Sequence, residues 1–89
     1  MSEIYWFLNI YSESKKLDSI IEKLINFKEV VDLFEVTGDY DIVALVKAKT
    51  PLEFRRFLKD KILRIDGVRG TNSTLILYVN KRDGKVLEG

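Results

Sequence analysis

The groups best suited to chemistry in this chain stand close together in the segment Val36-Thr37-Gly38-Asp39-Tyr40-Asp41. Carboxylates and a phenol are groups with which a protein lacking histidine and cysteine can still transfer protons or bind cations. An ordinary turn explains Gly38 and Asp39, because glycine supplies backbone freedom and aspartate favours loops. It does not explain a second carboxylate, Asp41, at the start of an apolar stretch. We therefore treat residues 36–41 as a candidate functional site.

A second polar pair, Thr71 and Ser73, precedes the last apolar stretch of the chain and follows Gly67-Val68. Strand threonines and turn polarity account for these hydroxyls without any function. The residues alone leave the role of this pair open.

The composition excludes several classes of function. The 89 residues contain no cysteine and no histidine, which removes disulfides, zinc-thiolate sites, the commonest general base and the commonest metal ligand. We expect no metal, no cofactor and no catalytic residue, although an enzyme could still use carboxylates, lysines or tyrosines. A hydrophobic fraction of 46% with 33% charged residues is typical of a folded domain, and the length suits a single one.

The N-terminus, MSEIYWFLNIY, has neither a positively charged start nor a small-residue cleavage site, so it does not resemble a signal peptide. Apolar runs in the chain are shorter than the roughly 20 residues of a membrane span. We expect a cytoplasmic protein without membrane contact.

Apolar patterning predicts the strands that position the candidate residues. Aromatic and β-branched runs predict strands over 4–11, 29–37, 40–48 and 73–80. Gly38-Asp39 is predicted to be a two-residue turn that joins the second and third strands in a hairpin. The candidate segment is thereby placed at the tip of a hairpin.

Two helices are predicted between these strands. The first has an apolar stripe at helical spacing, formed by Leu17, Ile20, Ile21, Leu24 and Ile25. The second has one apolar face, formed by Phe54, Phe57, Leu58 and Ile62. Thr50, Pro51 and Glu53 have the types and spacing of a capping box with proline at the first helical position, so they start the second helix.

The order of elements is βαββαβ, which predicts a ferredoxin-like α+β fold. Such a fold is a four-stranded antiparallel sheet with two helices on one face. We assign residues 1–81 to this domain and expect residues 82–89 to be a flexible C-terminal tail.

The helix-free face of this sheet is predicted to be unusually apolar. Both sets of alternating side chains are apolar or aromatic in the first strand, where Tyr5 and Phe7 oppose Trp6 and Leu8. Two helices on one side cannot cover both faces, so we expect the chain to dimerise through the sheet. The predicted interface contains Tyr5, Phe7, Ile76 and Tyr78, because tyrosine tolerates a half-hydrated contact.

Charge is distributed unevenly along the chain. Residues 1–45 carry four basic and nine acidic side chains, a net −5, and residues 46–89 carry eleven and five, a net +6. Such a dipolar chain favours self-association, although two solvated faces of opposite sign explain the pattern equally well. The total of +1 does not indicate a nucleic-acid partner.

The run VTGDYDIVALV at 36–46, followed by IDGVRGTNS at 65–73, resembles the effector-binding domain of the Lrp/AsnC transcription regulators. The pattern of that family is a V-T-G-x-Y-D hairpin, a helix, and a P-G-V stretch that leads to T-x-T and an apolar strand ending in lysine, here Lys81. The resemblance extends over roughly residues 4–81. Asp66 replaces the usual proline, which is expected to loosen the turn, and Ser73 replaces the second threonine.

The resemblance implies both an assembly and a ligand. Domains of this family dimerise through their sheets, dimers form larger rings, and an amino acid or related small effector binds between dimers near the hairpin loop. Carried over to this chain, the loop wall would be formed by Gly38, Asp39, Tyr40 and Asp41, and the hydroxyls would come from Thr71 and Ser73. A carboxylate suits the ammonium group of a zwitterion, and hydroxyls or backbone amides suit its carboxylate. Whether Asp39 or Asp41 contacts the ligand stays open, since bracing of the turn by Asp41 is the alternative.

The family usually has a helix-turn-helix domain, which is not present before the first strand here. We expect the stand-alone form of the domain, without direct DNA binding. It would modulate transcription by associating with itself or with full-length Lrp/AsnC regulators.

Two other functions stay open at this point. One is a small dimeric ferredoxin-like enzyme, similar to cofactor-free monooxygenases, which would depend on Asp39, Tyr40 or Asp41. The other is nucleic-acid binding through the basic face of the second helix, formed by Arg55, Arg56, Lys59, Lys61 and Arg64.

Overall fold

The computed structural model describes residues 3–87, and its elements follow the predicted order. The strands and helices, in chain order, are β1 Ile4–Ser12, α1 Leu17–Ile25 after a single 3-10 turn Ser14–Lys16, β2 Val30–Glu35, β3 Ile42–Ala48, α2 Pro51–Phe57, β4 Val68–Leu75, β5 Lys81–Arg82 and β6 Lys85–Val86. A π-helical turn, Leu58–Ile62, continues α2.

The first four strands form one antiparallel sheet in the order β2-β3-β1-β4. The central pair runs in register from Ile4 opposite Ala48 to Ile10 opposite Ile42. Both helices pack on the same side of this sheet, because their buried side chains join one core with alternate residues of β1 and β3. The ferredoxin-like prediction is confirmed.

The core lies between the sheet and the helices. Leu8 and Ile10 of β1, Ile42 and Val46 of β3, and Ile20 of α1 are fully buried. Burying each such side chain contributes about 1.5–3 kcal/mol, so these contacts supply much of the driving force for folding.

Aromatic contacts attach α2 to this core. The Trp6 ring on β1 stacks on the Phe54 ring with centroids 4.3 Å apart and planes 10° from parallel. Phe57, one helical turn later, meets Phe27 edge-on at 5.6 Å. These two pairs hold the middle and the C-terminal end of the short helix on the apolar layer.

The start of α2 has the predicted capping box with one variation. Thr50 Oγ1 accepts a hydrogen bond from the Glu53 backbone N–H at 3.0 Å. Glu53 Oε1 in turn accepts from the backbone N–H of Lys49, one residue before the cap, at 3.2 Å. Both side chains thus satisfy backbone donors at the start of the helix, as the Thr-Pro-Leu-Glu sequence requires.

A tight connection joins the end of α2 to β4 beside the start of α1. The carbonyl oxygen of Gly67 accepts from the Glu13 N–H at 2.8 Å. Lys16 Nζ and Asp66 Oδ2 are 2.8 Å apart, which raises the pKa of the lysine and lowers that of the aspartate. Both side chains are largely exposed, so this ion pair contributes little to stability. It nevertheless ties down the turn at the position where the Lrp/AsnC pattern has proline.

The hairpin between β2 and β3 differs from the prediction. β2 ends at Glu35 and β3 begins at Ile42, so the connection is longer than the predicted two-residue turn Gly38-Asp39. The Val36 N–H donates to the Asp41 carbonyl oxygen at 3.0 Å and closes a wider loop. Pairing of β2 with β3 stops at Glu35 opposite Ile42. Residues 37–40 are polar or exposed, so no burial of apolar side chains favours extending the two strands through them.

The last strand lies earlier in the chain than predicted. β4 extends over Val68–Leu75, whereas residues 73–80 were expected to form a strand. The Ile76 N–H still donates to the Tyr5 carbonyl oxygen at 2.9 Å, and β1 begins only one residue before Tyr5, at Ile4. β4 therefore ends close to the start of β1, the strand with which it pairs.

Residues 81–86 form a second, small hairpin of β5 and β6. Asp83 and Gly84 at its tip have φ values of 51° and 76°, the geometry that Asp-Gly adopts in tight hairpin turns. The Leu87 N–H donates to the Asn80 carbonyl oxygen at 2.9 Å and closes the hairpin. The interpretation of residues 82–89 as a tail did not anticipate this structure, and the flexibility of that segment stays a prediction.

Candidate functional site

The loop of residues 36–41 is attached to the sheet only at its ends. The Asp41 N–H donates to the Ile10 carbonyl oxygen at 3.1 Å, which continues the pairing of β3 with β1. Gly38 has a φ of 105°, and no atom lies within 4 Å of the position that a Cβ would occupy there. Asp39 is exposed at the tip. The positive φ therefore requires glycine at position 38, and the open space beside it leaves access for a ligand.

Asp41 has a structural role in this loop. Its Oδ2 accepts a hydrogen bond at 2.8 Å from the backbone N–H of Ser12, the last residue of β1. This contact braces the loop against the end of the central strand. A carboxylate has further acceptor sites, so Oδ1 can accept another donor while Oδ2 holds the brace.

Tyr40 lies on the helix-free side of the sheet beside Tyr11. The two ring centroids are 4.8 Å apart with planes 45° from parallel. The neighbouring Tyr40 side chain raises the pKa of the Tyr11 phenol, mainly by hydrogen bonding, with a smaller contribution from desolvation. Tyr11 is therefore a neutral hydrogen-bonding group at physiological pH.

Thr71 and Ser73 lie on β4 directly opposite Ile10 and Leu8 of β1. Residues opposite each other in an antiparallel pair project from the same face, so the two hydroxyls are on the side of the sheet that carries the helices. Thr71 is half-buried and Ser73 is exposed.

The six predicted site residues consequently share one region but not one surface. Thr71 and the loop meet at the same end of the sheet, because both flank Ile10. Ser73 lies two residues further along β4, and Tyr40 is on the opposite face from both hydroxyls. The structure brings Asp41 and Tyr40 to the end of β1 and leaves Gly38 and Asp39 at the exposed tip.

A cleft of about 320 Å³ opens at this end of the sheet and is lined by Tyr11, Ser12, Asp41 and Arg69. Only Asp41 of these four was predicted. Arg69 reaches the cleft because the pairing of β1 with β4 shifts register there, with Tyr11 opposite Gly70 and Ser12 opposite Val68. No sequence signal marked this bulge, so the arginine could not be selected from among fifteen basic residues.

The cleft combines two opposite charges. The Asp41 carboxylate can accept hydrogen bonds from an ammonium group, and the Arg69 guanidinium can donate to a carboxylate. A small zwitterion such as an amino acid carries both groups. Within residues 3–87 no cluster of three or more acidic side chains is arranged to hold a metal ion.

The helix-free face is the second notable surface. Phe7 and Phe34 are 42% and 52% exposed, and Tyr78 is 59% exposed. Two other residues of the predicted interface, Tyr5 and Ile76, are half-buried. The face is thus apolar and open in a single copy of the chain.

A groove of about 560 Å³ runs along this face. Its floor is formed by side chains of the three strands β1, β2 and β3, namely Phe7, Phe34 and Leu45, with Asp32 beside them. Its wall is formed by the segment after β4, including Tyr78 and residues 79–82. An apolar concavity of this size in a small domain is typical of an interaction surface.

Comparison with known proteins identifies the family. The model of the Lrp/AsnC ligand binding domain matches residues 6–86. The chain belongs to this family. The resemblance drawn from the two sequence motifs is therefore confirmed, and the Lrp/AsnC domain fold agrees with the ferredoxin-like topology described above.

Relatives with known names support the same conclusion. The HTH-type transcriptional regulator FL11 of Pyrococcus furiosus is 36% identical over 75 residues, which cover 84% of this chain and 49% of the regulator. The Lrp/AsnC domain described here thus spans about half the length of the curated relatives it matches.

Solved structures show the same fold in both short and long proteins. The protein TTHA0845 from Thermus thermophilus is 29% identical, with a TM-score of 0.83 and coverage of 89% of this chain and 99% of that one. The transcriptional regulator NMB0573 of Neisseria meningitidis, solved in complex with L-Met, is 20% identical, with a TM-score of 0.84 and coverage of 89% of this chain and 53% of that one.

Among residues 3–87 of this chain, neither helix is long and apolar enough to cross a membrane.

Proposed function

We propose that this chain is an effector-binding and oligomerisation module that binds an amino acid or a related zwitterion. The observation that carries the proposal is the cleft at the end of β1, where Asp41 and Arg69 offer opposite charges beside the family's hairpin loop. Membership of the Lrp/AsnC ligand-binding family and the L-Met complex of NMB0573 support this ligand class.

The ligand would lie with its ammonium group toward Asp41 Oδ1 and its carboxylate toward Arg69. The Tyr11 phenol adds a neutral donor and acceptor at the wall of the cleft. Thr71 and Ser73 are on the helix side, so they would contribute through a neighbouring copy or at the rim. Gly38 and Asp39 would border the entrance.

The oligomer proposed here forms through the helix-free face. Phe7, Phe34 and Tyr78 expose apolar surface that a second copy would cover, and burial gains about 25 cal/mol for each Å² removed from water. A ligand bound near the meeting point of copies shifts the assembly by its differential affinity for the two assembly states. The chain would act on transcription by such association with itself or with full-length Lrp/AsnC regulators in the cytoplasm.

The alternative of a small enzyme draws no support from the relatives, which are named as transcriptional regulators. Binding without turnover is the simpler use of a cleft with one carboxylate and one guanidinium. We propose a non-catalytic module.

Calorimetric titration with each of the twenty amino acids tests the ligand. We expect heat of binding with at least one of them, and Asp41→Asn should weaken that binding about 10- to 100-fold, since hydrogen bonds to charged groups contribute about 1.5–3 kcal/mol. Asparagine keeps an acceptor for the Ser12 N–H, so the variant removes the charge while the brace is retained. Arg69→Ala should have an effect of similar size.

Arg56→Ala is the matched control, because Arg56 is exposed on α2, away from the cleft. It should bind the amino acid as the unaltered chain does. Absence of heat with all twenty amino acids, or equal weakening in the control, would contradict the proposed site.

A further inference from the structure

The turn of residues 65–68, here called the β4 turn, leads directly into the arginine of the proposed ligand cleft. The Val68 N–H donates to the Ile65 carbonyl oxygen at 3.2 Å, and Gly67, the third residue of the turn, has a φ of 98°. This is the pattern of a type II turn, whose second position favours proline because the ring presets its φ. That position here holds Asp66, so the backbone of the turn is less constrained by its own sequence.

The arginine that follows the β4 turn has no partner in the strand pairing. Tyr11 is opposite Gly70, and the next residue of β1, Ser12, is opposite Val68. Arg69 is therefore the extra residue of a bulge in β4. Regular pairing does not fix the direction of a bulged side chain, which follows from the local backbone geometry. The direction of the guanidinium consequently depends on the turn that precedes it.

Two contacts hold the β4 turn against the segment that follows β1. The Glu13 N–H donates to the Gly67 carbonyl oxygen at 2.8 Å. On the neighbouring residue of the turn, Asp66 Oδ2 accepts a hydrogen bond from Lys16 Nζ, also at 2.8 Å. The ion pair thus adds a side-chain constraint to the backbone bond, at the position where proline would constrain the turn.

The same segment also holds the carboxylate of the cleft. The Ser12 N–H donates to Asp41 Oδ2, and Lys16 follows four residues later, at the end of the 3-10 turn. The ion pair with Asp66 thereby connects the segment that braces Asp41 to the turn that leads to Arg69. Its strength affects how the carboxylate and the guanidinium are placed relative to each other.

We propose that the Lys16–Asp66 ion pair positions Arg69 for the ligand and does so in place of a proline at position 66. This inference rests on the proposed amino-acid cleft and adds two positioning residues to it, neither of which lines the cleft. Both side chains are largely exposed, so dissolved salt weakens the pair. Ligand affinity in this chain is therefore sensitive to ionic strength through the turn as well as through the cleft.

Hydrogen exchange of the ligand-free chain, followed by NMR, tests the constraint on the turn. The amides of Glu13 and Val68 make its two backbone bonds. Asp66→Ala should lower their protection factors about twofold to fivefold, the size of effect that an exposed ion pair has. Asp66→Pro should keep them. Asp60→Ala is the control, because Asp60 is exposed and forms no ion pair within residues 3–87.

Calorimetry with the twenty amino acids, compared on the one that binds most tightly, tests the effect on the cleft. Asp66→Ala and Lys16→Met should each weaken binding about twofold to fivefold. Methionine keeps the aliphatic stem that lies beside Gly67 and removes the ammonium group. Asp66→Pro should restore the affinity, and adding Lys16→Met to it should have no further effect.

Salt dependence distinguishes positioning by the ion pair from a general structural role. Raising the salt concentration should weaken binding more in the unaltered chain than in the Asp66→Pro chain, because only the unaltered chain depends on the exposed pair. The charges of the cleft are the same in both chains. Circular dichroism checks that each variant keeps its fold.

The outcomes separate this inference from the function on which it rests. If no amino acid gives heat, the proposed ligand is wrong, and unaltered protection of the Glu13 and Val68 amides in Asp66→Ala overturns the constraint as well. If an amino acid binds the Asp66→Ala chain as tightly as the unaltered chain, the positioning role is overturned. Weakened binding that Asp66→Pro does not restore likewise overturns it, because rigidity of the turn would then not be what the ion pair supplies.

Discussion

Gly67→Ala is expected to lower the free energy of unfolding by about 3 kcal/mol or more, a large part of the stability of a domain this small. Gly67 has a φ of 98°, which side-chain-bearing residues rarely adopt. A Cβ added there would overlap the Lys16 Cβ, and it would lie 2.7 Å from the Lys16 Cγ and 3.3 Å from the Ile20 Cδ1. Because the Lys16 Cβ is fixed to its backbone, the overlap cannot be relieved without moving the 3-10 turn that leads into α1. Urea unfolding followed by circular dichroism measures the loss.

Gly38→Ala is the matched control for this prediction. Gly38 has a similar φ of 105°, but no atom lies within 4 Å of the added Cβ. Only the backbone cost should remain, about 1–2 kcal/mol. If the two variants were destabilised equally, the close approach of the 66–67 turn to Lys16 would not be the reason for glycine at position 67.

The second large effect is expected on self-association. Phe7→Glu should weaken the proposed sheet-face dimer at least about 100-fold, since a carboxylate buried in an apolar contact without a partner costs several kcal/mol. Phe7 is 42% exposed in a single copy, so the variant should still fold. Sedimentation equilibrium measures association, and circular dichroism checks the fold.

Leu52→Glu controls for the introduction of an exposed acidic residue. Leu52 is 53% exposed on α2, on the opposite side of the sheet from Phe7. It should associate as the unaltered chain does. If the Phe7 variant associated as strongly as the unaltered chain, the helix-free face would not be the contact surface.

Local patterning was sufficient to predict the fold because each element carries its own signal. The stripe from Leu17 to Ile25 agrees with α1. Thr50 makes the capping bond that its position predicts, whereas Glu53 accepts from the Lys49 N–H and not from that of Thr50. Strand faces were also predicted correctly in β1, where Trp6 and Leu8 are buried and Phe7 is exposed. Apolar periodicity and local capping signals determine these assignments.

The candidate site was predicted less completely, because it depends on pairing between strands distant in sequence. Asp41 was selected because an ordinary turn does not explain a carboxylate at that position. Its bond to the Ser12 N–H could not be predicted, because it joins residues 29 positions apart. Arg69 enters the cleft through a register shift between β1 and β4. The face occupied by Thr71 and Ser73 likewise follows from that register, which hydrophobic pattern does not specify on a polar edge strand.

The mass of the unaltered chain in solution tests most directly whether a second copy covers the helix-free face of the sheet. Sedimentation equilibrium at tens of micromolar should give at least twice the 10.4 kDa of one chain. A single species of 10.4 kDa across that range, with or without amino acids, would contradict it.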